Sequence, residues 1–225
     1  MKQIKIYMPC LLIVLLLLAG CMKKKRKIIF FGDSITQYGV LPGGYIDQLN
    51  KKLENSDQQD EYELTGAGIS GNKVSDLYQR LNEDVLKQKP DIVVIWVGVN
   101  DILYKAIGIG GTDADKFEEL YAEIINKLQA EHIKVVLVTP AVIGEKYNNT
   151  NQQDNDLNLY SEIVRKLSKR YRCTLCDART IFLNNEKLNN KTNSDLGILT
   201  IDGVHLNLKG NQLVADSMFN LLVNE

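Results

Sequence analysis

The chain has 225 residues, of which 27 are basic and 28 acidic, and its formal net charge is −1. Because proteins that bind nucleic acid carry a clear excess of basic residues, this balance argues against nucleic acid as a partner. The length suits one domain that buries its own core, and the sequence shows neither internal repeats nor a second domain.

The first twenty residues form a separate segment that predicts export. Lys2 and Lys5 precede an apolar run, Cys10–Leu18, which is shorter than the about 20 apolar residues of a membrane-spanning helix. The run leads into the letters LAGC, which end at Cys21. Small residues directly before a cysteine resemble the lipobox of bacterial lipoproteins. The resemblance implies that residues 1–20 are a signal peptide and that Cys21 becomes a lipidated N-terminus.

A basic stretch, Lys23–Lys27, separates Cys21 from the first predicted strand. We interpret residues 21–27 as a short tether whose positive charge favours anionic lipid. The lipoprotein interpretation places the domain outside the cytoplasm, anchored to a membrane of the bacterial cell envelope. An uncleaved signal anchor is the alternative, because basic residues after an apolar segment favour the cytoplasmic side and would leave the domain there.

Residues 28–225 alternate between short β-branched runs and amphipathic helical patterns. The alternation is typical of an α/β fold in which crossover helices join parallel strands. Two Asn-rich segments without a pattern, 148–156 and 184–195, are expected to be surface loops. The predicted strands are Lys27–Phe31, Tyr62–Thr65, Ile92–Val97, Lys134–Thr139 and Cys173–Asp177, and the predicted helices are Tyr45–Leu53, Val74–Leu86, Asp115–Ala130, Leu157–Tyr171 and Leu208–Leu222.

Functional residues in such sheets are expected just beyond the carboxyl ends of the strands. Ser34 follows the first strand, after a glycine that permits a tight turn. A serine hydroxyl is a poor nucleophile until a base takes its proton, and the chain has only two histidines. His132 falls at the opposite, amino end of a strand, so we assign His205 as the base. Asp202, three residues earlier, is suited to orient the imidazole.

Four short motifs follow one another along the domain. Each is weak alone, since a serine or aspartate in the first could simply cap a helix. Together, and in this order, they resemble the SGNH or GDSL family of hydrolases. The resemblance implies a three-layer αβα, flavodoxin-like fold with about five mostly parallel strands. The motifs are GDSIT at 32–36, GISGN at 68–72, GVND at 98–101 and DGVH at 202–205.

The resemblance also implies the chemistry, which is that of a serine esterase with an acyl-enzyme on Ser34. His205 is then the base, Asp202 its partner, and Ser34, Gly71 and Asn100 form the oxyanion hole. Such a mechanism uses no cofactor and no metal. The alternative is an SGNH-fold surface protein that binds a glycan or lipid without turning it over.

Two positions depart from the family pattern without removing a catalytic group. Gly66 stands where asparagine is common, and Val99 replaces a glycine. Two aspartates of the motifs, Asp33 and Asp101, are assigned structural roles as acceptors of hydrogen bonds from nearby backbone amides.

Two other patterns in the sequence suggest a nucleotide site and a cysteine site. The letters GAGISG at 66–71 match the dinucleotide-binding fingerprint, but Asp91 begins the next strand instead of ending it, so we reject a nucleotide site. Cys173 and Cys176 form a C-x-x-C in an apolar stretch, with no second pair to complete a zinc site. We interpret them as buried apolar residues in preference to a redox pair.

The ester itself is not specified by these residues. By resemblance the candidates are esters of lipids, lysolipids or acetylated carbohydrates, and specificity is expected in the segments 103–112, 141–156 and 182–200. The residues between Cys21 and the first strand reach at most ~20 Å. We therefore hypothesise a substrate at or near the membrane.

Overall fold

The computed structural model, which describes residues 24–223, contains five strands that form one sheet. The strands are β1 (Arg26–Gly32), β2 (Tyr62–Gly68), β3 (Ile92–Trp96), β4 (Lys134–Val138) and β5 (Thr174–Cys176). Their order is β2-β1-β3-β4-β5, and all neighbouring strands are parallel. The three central strands are apolar runs whose residues are mostly buried, as is usual where helices cover both faces of a parallel sheet, whereas the edge strands β2 and β5 are mainly half-buried.

Helices connect and cover the strands, which completes the expected α/β architecture. The helices are α1 (Ser34–Gly39), α2 (Tyr45–Asn55), α3 (Val74–Asp84), α4 (Val99–Ala106), α5 (Ala114–Ala130), α6 (Asp154–Tyr171), α7 (Ala178–Asn189) and α8 (Leu208–Val223). One group consists of α2 and α8, which pack against each other. In another group, α5 packs against both α3 and α6.

The predicted strands and long helices are confirmed, but two polar segments are partly helical. The expected loop 184–195 includes the second half of α7, and the expected loop 148–156 ends in the first turn of α6. Asparagine has a weak helix propensity, which concealed α7 in the sequence. Tertiary structure overrides it, because Asp177 caps the helix by accepting from the Thr180 amide and Phe182 is fully buried.

The amino end of the domain begins earlier than expected. Arg26 and Lys27, the last two residues of the predicted tether, are the first two of β1. The Lys25 ammonium lies 3.2 Å from the Asp60 carboxylate, and the Lys27 amide donates to Asp91. Residues 1–20 and Cys21 lie outside the described residues. Within residues 24–223, no helix has the length and apolar character needed to cross a membrane.

A buried carboxyl group in α7 has no hydrogen bond. Both oxygens of Glu186 lack a partner among the described residues, and the residue is fully buried. Burial, together with the negative charge of Glu145, raises the pKa of Glu186 to about 8. The folded protein therefore keeps a proton on Glu186 at neutral pH, whereas the unfolded chain does not.

This difference predicts a pH-dependent stability. Between about pH 4.5 and about pH 8 the folded state binds one more proton than the unfolded state, so the free energy of unfolding falls as pH rises. In Glu186→Gln we expect the free energy of unfolding not to fall in this way. The free energy of unfolding of the variant minus that of wild type should therefore grow by up to about 1.4 kcal/mol per pH unit across that range. Urea unfolding at pH 5, 6.5 and 8 measures it.

The exposed Glu54→Gln in α2 is the matched control, and its stability should follow wild type at every pH. If the free energy of unfolding changed with pH in the same way for wild type and Glu186→Gln, the Glu186 carboxyl would not hold a proton in the folded state.

Candidate active site

Ser34 is presented by a tight turn between β1 and α1. Asp33 caps the helix, with its Oδ1 accepting from the Ile35 amide at 2.9 Å, and Ser34 is the first residue of the helix. The first amides of a helix have no intrahelical partner, so the Ser34 N–H is free to bind an anion. Burial raises the pKa of Asp33 to about 7. Asp33 therefore has the structural role predicted for it.

The segment before α8 brings a histidine to this serine. His205 Nε2 lies 2.9 Å from Ser34 Oγ, and His205 Nδ1 lies 2.7 Å from Asp202 Oδ2. The other oxygen of Asp202 accepts from the backbone amides of Val204 and His205. Gly203, with φ of +90°, gives the turn the left-handed conformation that it needs. Ser34 and His205, which are 171 positions apart in sequence, are thus in direct contact, and Asp202 contacts the other nitrogen of the imidazole.

The electrostatics of the contact fix the tautomer of the imidazole. Burial acts to raise the pKa of Asp202, but hydrogen bonds from the His205 side chain and from two backbone amides outweigh it and hold the pKa below its ordinary value. An ionised carboxylate only accepts hydrogen bonds, so Nδ1 carries the proton. Nε2 is then left with a lone pair that faces the Ser34 hydroxyl. This arrangement can remove the hydroxyl proton while the oxygen attacks an electrophile.

A second turn, at the end of β2, carries Gly71, and the predicted donor Asn100 contacts this turn. Gly71 has φ of +79° and lies in a turn closed by a hydrogen bond from the Asn72 amide to the Ile69 carbonyl. The Ile69 amide in turn donates to the Gly32 carbonyl at 3.2 Å, which ties this turn to the serine turn. One N–H of the Asn100 amide donates to the Asn72 carbonyl at 3.0 Å. The second N–H of that amide remains for an oxyanion.

Asp101 has the structural role predicted for it. Its carboxylate oxygens lie 3.2 and 3.3 Å from the Val74 amide, at the start of α3. Burial raises the pKa of Asp101 to about 6. Asp101 therefore connects the amino ends of α3 and α4.

Arg80 was missed by the sequence analysis, although it joins the two turns. Its Nη2 donates to the carbonyls of Gly32 at 2.7 Å and Ala67 at 3.0 Å, and its Nε donates to Asn72 Oδ1 at 2.7 Å. The guanidinium also lies 4.4 Å from the ring centroid of Phe31. In the sequence Arg80 is one polar residue of an amphipathic helix, and no local signal distinguishes it.

Glu145 was also missed, and it holds the segment that precedes Asp202. The buried carboxylate accepts from three consecutive backbone amides, those of Ile198, Leu199 and Thr200. Thr200 Oγ1 then accepts from the Gly203 amide inside the Asp-x-x-His turn. The position of the imidazole thus depends on a carboxylate that follows β4.

A groove of about 460 Å³ lies beside the Asp202–His205 turn. Leu103, Ile143, Leu196 and Val204 supply apolar surface, and the other lining side chains are polar. The polar lining residues are Lys146, Thr150, Asn151, Gln152, Gln153, Asp195 and Asp202. A groove with this mixture suits a ligand that has both hydroxyl groups and C–H surface.

The remaining candidates lie apart from this site. His132 is exposed at the amino end of β4, beside Lys134 and Asp91, as expected. Cys176 is buried and Cys173 half-buried, and burial raises the pKa values of both thiols, to about 12 and about 11. Within residues 24–223, no group of three or more His, Cys, Asp or Glu is arranged to hold a metal ion.

Comparison with known proteins gives matches over nearly the whole described domain. The model of a family described as GDSL-like Lipase/Acylhydrolase matches residues 30–213. The crystal structure of an acetyl xylan esterase, AlAXEase, is 55% identical with a TM-score of 0.85, over 86% of this chain and 98% of that one. An acetylxylan esterase of Geobacillus stearothermophilus is 27% identical over 208 residues, 84% of this chain and 90% of that protein. The uncharacterized lipoprotein YqeF of Bacillus subtilis (strain 168) is 25% identical over 216 residues, 86% of this chain and 88% of that protein.

The geometry predicts one hyper-reactive serine. We expect a fluorophosphonate to add to Ser34 of the wild-type protein, as detected by intact mass and peptide mapping, and Ser34→Ala to gain no adduct. His205→Ala should react at least about 100-fold more slowly, because the hydroxyl keeps its proton. His132→Ala is the matched control and should react at the wild-type rate. If His132→Ala were the slow variant and His205→Ala reacted normally, the assignment of the base would be wrong.

Proposed function

Because the chain belongs to the GDSL-like lipase/acylhydrolase family and is a serine carboxylester hydrolase, we propose that it removes acetyl groups from carbohydrate, with Ser34 as the nucleophile. The observation that carries this proposal is the continuous hydrogen-bonded contact from Ser34 Oγ through His205 to Asp202. The proposal that the site is silent and only binds is not favoured, since the similar proteins with known activities are esterases and this contact is complete.

The proposed reaction proceeds in two halves through an acetyl-enzyme. Ser34 Oγ attacks the ester carbonyl while His205 Nε2 takes its proton, and the carbonyl oxygen becomes an oxyanion. The amides of Ser34 and Gly71 and the side-chain amide of Asn100 are the proposed donors to that oxyanion. When the tetrahedral intermediate collapses, His205 returns the proton to the departing sugar oxygen. Water activated by His205 then attacks the acetyl-enzyme and releases acetate.

Crowding beside a proposed oxyanion donor supports a small acyl group. The Tyr104 hydroxyl lies 2.8 Å from the point where a β-carbon on Gly71 would stand, so Tyr104 borders this donor. An acetyl group adds only one methyl beyond the carbonyl and needs the least space there.

The position of the chain's amino end supports a carbohydrate in preference to a bilayer lipid. The chain enters the domain at the amino end of β1, whereas Ser34 follows its carboxyl end. Seven strand residues span roughly 23 Å, so the two points lie on opposite edges of the sheet. If Cys21 is lipidated, the nearby membrane faces the edge that lacks Ser34. The active site then faces away from the anchor, toward glycans that extend from the cell.

We also propose that the protein is a lipoprotein of the cell envelope, anchored through Cys21. The LAGC letters before the basic stretch support this, as does the similarity to a protein named as a lipoprotein. The anchor would retain the enzyme at the cell surface and would not present lipid esters to Ser34.

The first prediction concerns acyl-chain length. With a series of p-nitrophenyl esters, we expect kcat/KM to be highest for acetate and to fall at least tenfold by octanoate, since each methylene that cannot be placed costs about 1 kcal/mol or more. Acetylated xylo-oligosaccharide should release acetate, and Ser34→Ala should release none above background. An optimum at eight or more carbons would contradict the acetyl proposal and favour a lipid ester.

The second prediction concerns anchoring. We expect wild-type protein in the membrane fraction, with a mature N-terminal mass that includes lipid on Cys21, and Cys21→Ser in an unlipidated form. Cys173→Ser is the matched control and should fractionate like wild type. Wild-type protein that retains residues 1–20 without lipid would contradict the proposal and support the signal-anchor alternative. The ratio of the rate on vesicle-bound ester to the rate on free ester should be the same for the anchored and the soluble form.

A further inference from the structure

An exposed aromatic ring stands directly beside the proposed base. Tyr38 is the fourth residue after Ser34 in sequence, so the two side chains lie on the same side of α1. The ring centroid of Tyr38 lies 5.3 Å from that of His205, and the two ring planes are inclined by 52°. Tyr38 is nevertheless 47% exposed. One side of the ring therefore contacts the imidazole while much of its surface faces solvent.

This exposure is unusual for a tyrosine of this domain. Tyr45, Tyr121 and Tyr160 are fully buried and add to the core. A large apolar ring left in solvent contributes little to folding, because its surface is not removed from water. Exposed apolar surface next to a catalytic group is instead typical of a ligand-binding site.

Two further exposed apolar residues belong to the segments next to Tyr38. Leu41, 52% exposed, belongs to the turn after α1, and its amide donates to the Tyr38 carbonyl. Leu208, 71% exposed, lies 3.5 Å from the β-carbon position of Gly43 in the same turn. We define the apolar patch as Tyr38, Leu41 and Leu208, which belong to α1, the turn after it and the start of α8.

The proposed reaction determines which part of the substrate meets this patch. His205 Nε2 must reach the oxygen of the departing alcohol in order to protonate it. The alcohol is therefore held at the His205 edge of the site, away from the amides that bind the oxyanion. Whatever group the alcohol carries is then placed next to the ring that packs on His205. That ring belongs to Tyr38.

We propose that Tyr38 is the platform on which the sugar ring of the departing alcohol stacks, so that it selects carbohydrate esters. This inference rests on the proposed carbohydrate deacetylation. A pyranose presents a face of C–H groups that packs on an aromatic ring, while its hydroxyl groups stay at the edge in contact with water. The groove lined by Asn151 and Asp195, which also includes Asp202 and Val204, offers polar partners for further sugar hydroxyls.

The experiment compares an ester that has a sugar ring with one that has no ring. The substrates are acetylated xylobiose and ethyl acetate; p-nitrophenyl acetate is unsuitable because its own ring could stack. The specificity ratio is kcat/KM for the sugar ester divided by kcat/KM for ethyl acetate. We expect Tyr38→Ala to lower this ratio about tenfold, mainly through a higher KM for the sugar ester. Tyr38→Phe, which keeps the ring, should retain at least half of the wild-type ratio.

Leu188→Ala, which removes an exposed apolar side chain of α7 outside the site, is the matched control and should leave the ratio unchanged. If Tyr38→Ala lowered kcat for both esters equally, Tyr38 would only support His205, and the platform would be refuted. A wild-type enzyme that prefers the sugar ester, together with an unchanged ratio in Tyr38→Ala, would refute the platform and leave the proposed function intact. A wild-type enzyme that cleaves only ethyl acetate would overturn the proposed function, and the platform with it.

Discussion

The guanidinium of Arg80 connects the turn after β1 with the turn after β2. It donates to the carbonyls that end β1 and β2 and to the side chain of Asn72. Asn72 then accepts from the Asn100 amide, so all three turns after β1, β2 and β3 share one network. A planar group with several donors reaches carbonyls of both strands at fixed angles. The proposed oxyanion donors depend on this network for their positions.

Glu145 holds the segment that carries the proposed base, as Arg80 holds the turns that carry the proposed oxyanion donors. Its carboxyl oxygens accept from three successive amides, and a buried polar group is tolerated when hydrogen bonds satisfy it in this way. Glu186 nearby has no such amides, and burial raises its pKa to about 8. The two buried glutamates therefore differ in their partners, because only Glu145 meets backbone donors. The three hydrogen bonds to Glu145 hold the segment before Asp202 in place.

Much of the fold and of the site could be predicted because the signals are local. The five strands are short β-branched runs, and Ser34, Gly71 and Asn100 each follow one of them, in turns marked by glycine. The helix α7 was hidden, since asparagine masks a pattern that only tertiary packing stabilises. Arg80 and Glu145 could not be found at all, because their partners lie far away in sequence. A long-range hydrogen bond to a backbone carbonyl or amide does not depend on the residue type of the backbone partner, so the sequence carries no sign of it.

Backbone hydrogen bonds also explain how the Asp202–His205 turn can orient the imidazole although Asp202 is half exposed. The side chain of Asp202 is 50% exposed, so solvent screens its charge and weakens its attraction to the imidazole. Its direction is set instead by the backbone, because two amides of the turn hold Oδ1 and leave Oδ2 for the ring. That turn requires φ of +90° at Gly203, and a β-carbon there would also lie 3.3 Å from the Gly144 amide nitrogen. The motif DGVH is therefore informative for its glycine as well as for its acid and base, since the glycine lets a solvent-exposed carboxylate orient the imidazole with fixed geometry.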